Sequence, residues 1–114
     1  MRLLIVDDSE TMLAYLCGLM RELDHDTCAC TNGQEAVEQY GAYHPDLVLM
    51  DIRMPGMDGF EATKRITRAD PNARVAIVTD YDSDEFRKRA EAVGAARFFL
   101  KDDMLPLLSY IANR

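Results

Sequence analysis

Four short apolar runs in this chain each end in a polar residue, and that pattern admits few folds. Leu47-Val48-Leu49-Met50 ends in Asp51, and Leu3-Leu4-Ile5-Val6 ends in Asp7 and Asp8. Val75-Ala76-Ile77-Val78 ends in Thr79, and Phe98-Phe99-Leu100 ends in Lys101. Runs this short, apolar on both faces, read as strands of a parallel sheet covered by helices on both sides. An acid is an unusual way to finish such a strand. The intervals are 44 residues from Asp7 to Asp51, 28 from Asp51 to Thr79 and 22 from Thr79 to Lys101. Each holds one or two strand–helix units, so the four tips can meet at one edge of a sheet.

The segments between the runs have helical signals. Ser9 is a good N-cap, followed by Met12/Leu13, Leu16, Met20 and Leu23 at helical spacing. A short second strand spans Thr27 to Cys30, and Asn32 caps a helix carrying Ala36, Val37 and Tyr40, broken by Pro45. Met54-Pro55-Gly56-Met57 is a loop, and Asp58 with Glu61 forms a capping box opening the third helix. Asp70-Pro71-Asn72 is a turn into the fourth strand. The fourth helix begins near Ser83, buries Phe86, Ala90 and Val93, and ends at Gly94. Its outer face offers Asp84–Lys88 and Glu85–Arg89 in the favourable acid-first order. Pro106 fits only the first turn of the last helix. The expectation is one α/β domain, residues 1–114, with five parallel strands and five helices, its ligand beyond the carboxyl ends of the strands.

Composition narrows the function. A net charge of −7 argues against direct nucleic acid binding, which needs Lys and Arg gathered on one face. It suits a site for a hard cation. No apolar stretch is long enough to span a bilayer, and the few apolar residues before Asp7 do not make a signal peptide. Cys17, Cys28 and Cys30 read as reduced core thiols, so a cytoplasmic location is expected. His25 and His44 have no metal-ligand spacing and read as structural.

Asp7, Asp8 and Asp51 within a few ångströms would repel one another, which a divalent cation relieves. Mg²⁺ uses one or two carboxylates, keeps several waters and accepts phosphate oxygens. Lys101 adds a point positive charge and Thr79 a hydroxyl. Asp51 is then a nucleophile able to form an acyl phosphate. A self-phosphorylating aspartate is one option among several metal–anion sites.

The residues Val6-Asp7-Asp8, the block from Leu49 through Asp51-Ile52-Arg53-Met54-Pro55-Gly56-Met57-Asp58 to Gly59, Val78-Thr79 and Leu100-Lys101 resemble the receiver domain of two-component response regulators. The likeness covers essentially the whole chain. It implies a flavodoxin-like strand order 2-1-3-4-5 and a phosphoryl group accepted on Asp51 from a histidine kinase or histidine phosphotransfer protein. It further implies Mg²⁺ (or Mn²⁺) held by Asp8 and Asp51, by Asp7 partly through water, and by the Arg53 carbonyl. Thr79 and Lys101 would contact phosphoryl oxygens. Thr79 and Phe98 would form a switch that alters the fourth helix, fifth strand and fifth helix, with a homodimer as one outcome. Such a chain is a signalling phospho-acceptor with self-catalysed dephosphorylation, not a turnover enzyme. Two residues depart from the family's pattern. Asp102 follows Lys101 where proline is usual, as in receivers fused to helix-turn-helix domains, and Asp80 follows Thr79 where a small residue is commoner. An inward-pointing Asp80 would repel a phosphodonor.

Other readings compete. The chain could be a receiver excised from a longer helix-turn-helix regulator. An aspartate-nucleophile phosphohydrolase would need a second acid two residues after the nucleophile, where this chain has Arg53. A flavin-binding protein would need a phosphate loop after the first strand, where this chain has Asp7-Asp8-Ser9-Glu10.

Overall fold

All five expected strands form, and every pairing between them is parallel. The computed structural model describes residues 1–113, so the last residue of the expected domain, Arg114, lies outside the described residues. In chain order the elements are β1 (Arg2–Val6), α1 (Glu10–Glu22), β2 (Asp26–Cys30), α2 (Gly33–Tyr43), β3 (Leu47–Met50), α3 (Gly59–Ala69), β4 (Val75–Thr79), α4 (Asp84–Ala92), β5 (Arg97–Leu100) and α5 (Leu105–Ala112). The strand order is β2-β1-β3-β4-β5, with the reversal of direction at the boundary between β1 and β3. Asp7 and Asp51 follow these two neighbouring strands, where a doubly wound sheet opens its ligand crevice.

Alternation along each strand builds two cores. Leu4, Val6, Val48, Met50, Val75 and Ile77 face α2, α3 and α4, packing with Ala36, Phe60, Ile66 and Ala90. Leu3, Ile5, Leu47, Leu49, Ala76 and Val78 face α1 and α5, packing with Leu16, Met20, Leu107 and Ile111. Each fully buried aliphatic side chain contributes roughly 1.5–3 kcal/mol, so the interior strands hold the tips rigidly.

Local signals set most boundaries as expected. Ser9, Asn32, Asp58 and Ser83 each cap a helix through a side-chain oxygen. Gly94 ends α4 with a left-handed φ of 91°, and Pro106 lies in the first turn of α5. Several expectations need correction. Leu23 is not part of the α1 stripe; it is the C-cap and is exposed. Cys17 and Cys30 are buried, whereas Cys28 is only partly so, and all three thiols are free. Only half of the Asp58–Glu61 box is seen: Asp58 accepts from the Glu61 N–H at 2.9 Å, while the Glu61 carboxylate pairs with Arg65 at 3.0 Å. Neither Asp84–Lys88 nor Glu85–Arg89 pairs among the described residues. Exposed pairs of this type are worth a few tenths of a kcal/mol, and Arg89 instead lies over the Phe60 ring, 4.3 Å from its centre.

Gly59 ties α3 to the sheet edge. Its N–H donates to the Ile52 carbonyl at 2.8 Å, and a Cβ built on it would lie 1.9 Å from the Asp51 carbonyl oxygen. Gly41, by contrast, is an exposed helical glycine with nothing within 4 Å of that position. Gly59→Ala is expected to destabilise the protein by about 2–4 kcal/mol through displacement of the Asp51 backbone. Gly41→Ala should stabilise it by about 0.5–1 kcal/mol through helix propensity. Urea unfolding of the two variants checks both signs.

Candidate functional site

The site grows out of backbone pairing. The Asp7 N–H donates to the Cys30 carbonyl at 3.0 Å, Asp51 N–H to Val6 at 2.9 Å, and Lys101 N–H to Thr79 at 2.8 Å. These ladder extensions carry strand order past the last paired residue, so the tips inherit the rigidity of the sheet. Asp7, Asp51 and Thr79 are buried, whereas Asp8 is exposed.

Lys101 joins the two buried acids. Its Nζ lies 2.8 Å from Asp7 Oδ2 and 3.3 Å from Asp51 Oδ1. Backbone donors hold the carboxylates from behind: Ser9 N–H donates to Asp7 Oδ1 at 2.9 Å and Ile52 N–H to Asp51 Oδ1 at 2.9 Å. Thr79 Oγ1 accepts from the Tyr81 N–H at 3.2 Å. One ammonium does not balance the acids. Burial, and then the neighbouring Asp7 charge, push the Asp51 carboxyl up from 3.8 to about 6, with Lys101 and the Ile52 N–H pulling it partly back. Burial opposes the Lys101 charge, but hydrogen bonding and attraction to Asp7 and Asp51 outweigh it and raise its pKa.

One ligand oxygen from each of Asp7, Asp8 and Asp51 falls within 4.8 Å of the others. Three hard oxygen donors this close, with a deficit of positive charge, fit a divalent cation that keeps part of its water. The sequence model of the response regulator receiver domain matches residues 3–111. This chain belongs to the receiver family.

Among relatives of this receiver domain, the chemotaxis protein CheY of Halobacterium salinarum is 40% identical over 92% of this chain and 88% of its own length. CheY of Thermotoga maritima is 38% identical over 88% of this chain and 84% of its own. The transcriptional regulatory protein LnrK of Bacillus subtilis is 40% identical over 89% of this chain, but only 47% of LnrK is matched. In structure, CheY in the CheX-CheY-BeF3-Mg²⁺ complex of Borrelia burgdorferi superposes with a TM-score of 0.91 at 29% identity, covering 98% of this chain and 87% of that one. TrrA of Thermotoga maritima, in complex with Mg²⁺-BeF, gives 0.89 at 26% identity, covering 98% and 96%. The fold is thus that of CheY-like receivers, a family that binds Mg²⁺ at an acidic pocket. No helix among the described residues is long and apolar enough to cross a membrane.

The remaining sequence-derived residues fall as follows. Arg53 is exposed in the loop after Asp51, and its guanidinium stacks 3.8 Å above the Tyr81 ring centre while Nη1 donates to Tyr81 Oη at 2.8 Å. Phe98 is half-buried on the α4 side of the sheet and Phe99 buried on the opposite side, as their alternation requires. The Arg87 guanidinium covers the Phe98 ring at 4.6 Å. Of Arg87, Lys88, Arg89 and Arg97, only Arg87 pairs with an acid among the described residues, reaching Asp82 at 3.1 Å. Asp80 is exposed and is not among the three clustered carboxylates. Sequence reading passed over Tyr81 and the Arg53 side chain. A signal was there: an arginine two residues past one tip and a tyrosine two past the next.

Because Asp51 holds its proton more tightly folded than unfolded, ionising it costs stability as pH rises from about 4 to about 6, and the cost is constant above that. Asp51→Asn should therefore match wild type near pH 4 and exceed it by about 1–3 kcal/mol at pH 7. Lys101→Met leaves the acids uncompensated and should lose about 3 kcal/mol at pH 7, less at pH 5. Denaturant unfolding across pH 4–8 measures both; a constant Asp51→Asn difference would contradict the assigned burial cost.

Proposed function

We propose that residues 1–114 act as one phospho-acceptor domain in which Asp51 receives a phosphoryl group from the histidine of a kinase or phosphotransfer protein. The observation that carries this is the Lys101 ammonium bridging Asp7 and Asp51 at 2.8 and 3.3 Å beside a third carboxylate. Among the described contacts, both that reach the Asp51 carboxylate go to Oδ1. Oδ2 is the attacking oxygen. It forms the new bond to phosphorus as the bond to the imidazole nitrogen breaks; that nitrogen keeps the electron pair, and the ring, already protonated on its other nitrogen, leaves as neutral imidazole. With its pKa near 6, Asp51 is mostly ionised at neutral pH and ready to attack.

Asp7, Asp8, Asp51 and the Arg53 carbonyl are the residues that would hold Mg²⁺ (or Mn²⁺), as supported by the Mg²⁺-bound state of the two similar structures. The cation supplies charge neutralisation to the transferring group. Lys101 shifts from carboxylate pairing to a phosphoryl oxygen, and the Thr79 hydroxyl moves to donate to another, drawing Oγ1 away from the Tyr81 N–H in exchange for the new bond. That exchange frees the Thr79–Tyr81 turn, and Phe98 moves with it, altering the face of α4, β5 and α5. One phosphoryl per Asp51 makes the chain a signalling device that also hydrolyses its own phosphate, in the cytoplasm, with partner choice and any dimer set by that face. A phosphohydrolase is disfavoured because the position it reserves for a second acid is Arg53, turned outward onto Tyr81.

Incubation with phosphoramidate and Mg²⁺ should add one phosphoryl group per chain by intact mass, with none on Asp51→Asn and none when Mg²⁺ is chelated. Stoichiometric labelling of Asp51→Asn would sink the assignment.

A further inference from the structure

The seam between α3 and α4 is closed at one end and open at the other. Thr67 Oγ1 donates to the Val93 carbonyl at 2.8 Å, closing the end far from Asp51. Toward the loop after Asp51 it widens into a groove with an apolar floor of Met54, Phe60 and Phe86. Phe60 and Phe86 meet edge to face, with ring centres 5.5 Å apart. A second hollow further along the seam shares Asp58, Phe60 and Arg89, so the concavity continues between the helices.

Two arginines stand over this floor. The Arg53 and Arg89 guanidiniums each lie 5.9 Å from the Phe86 ring centre, stacked respectively on Tyr81 and Phe60 at 3.8 and 4.3 Å. Neither is in an ion pair among the described residues, although Glu85 is one helical turn from Arg89. Stacking fixes each planar fork by one face; Arg53 gives Nη1 to Tyr81 Oη, and its other N–H groups and the Arg89 fork are left for a carboxylate. The groove's own acid, Asp58, is engaged as the α3 cap. A chain of net charge −7 thus presents here an apolar slot flanked by two oriented cations.

We propose that this groove docks an acidic segment of a protein partner, with an apolar side chain on Phe60 and Phe86 and carboxylates on Arg53 and Arg89. Charge complementarity selects the occupant. A second copy of this acidic chain would be repelled overall, and a basic or nucleic-acid-binding segment has no matching groups here. The proposal is independent of phosphoryl transfer at Asp51, so it is tested on the unphosphorylated chain.

The test is selection of phage-displayed random decapeptides on the intact protein. Enriched sequences should carry an aromatic or aliphatic residue flanked by Asp or Glu. A selected peptide should shift amide resonances of residues 53–60 and 86–89, and Arg89→Gln should weaken it about tenfold. Arg68→Gln, at an exposed position outside the groove, should leave affinity unchanged. No enrichment, enrichment of basic or uncharged peptides, shifts on another face, or equal affinity for Arg89→Gln would each overturn the proposal. So would a concentration-dependent dimer in sedimentation velocity that Arg89→Gln abolishes, since the occupant would then be a second copy.

Discussion

The ammonium of Lys101 between the carboxylates of Asp7 and Asp51 is the interaction on which the rest of the molecule turns. Removing three charges from water costs several kcal/mol each, and one cation cannot cancel two or three acids. The cluster persists because the sheet leaves it no alternative. Backbone bonds from Asp7, Asp51 and Lys101 continue the ladder past the strand ends, and the strands behind Asp7 and Asp51 are buried on both faces. The two-layer core thus holds like charges together, and the resulting deficit of positive charge is what makes the site receptive to a divalent cation.

The same loop does two jobs. Gly59 brings α3 against the Asp51 carbonyl so closely that no side chain fits. Between Asp51 and Gly59 the chain must leave the strand, turn at Gly56 with φ 76°, and cap α3 with Asp58. In doing so it throws Arg53 outward onto Tyr81 and lays Met54 into the groove beside α4. Chemistry at the tip of β3 and recognition at the α3–α4 seam therefore share one short segment.

Much of this was legible in the residues because it is set by local or strongly periodic terms. The caps at Ser9 and Asn32, the glycine that ends α4 and the alternation that parts Phe98 from Phe99 act within one turn or one strand, and each formed as read. The tips Asp7, Asp51, Thr79 and Lys101 were legible because a polar group at the end of a buried strand is costly to desolvate unless it meets a partner there. The outer face of α4 was not. An exposed Glu85–Arg89 pair and an Arg89–Phe60 stack differ by little free energy, and only the fold brings Phe60 near. The Arg53–Tyr81 stack was missed for a related reason, since it joins two loops whose proximity follows from strand order. The direction of Asp80 was not legible because side-chain direction just beyond a strand end is set by the turn, not by strand alternation.

Asp51 sits in a buried cluster short of positive charge, and its carboxyl titration tests that most directly. Followed by ¹³C NMR in the absence of divalent cation, the Asp51 carboxyl should titrate near pH 6. Saturating Mg²⁺ should lower that midpoint by at least about one unit. An ordinary carboxylate midpoint near 4, unmoved by Mg²⁺, would contradict a charge-deficient cluster.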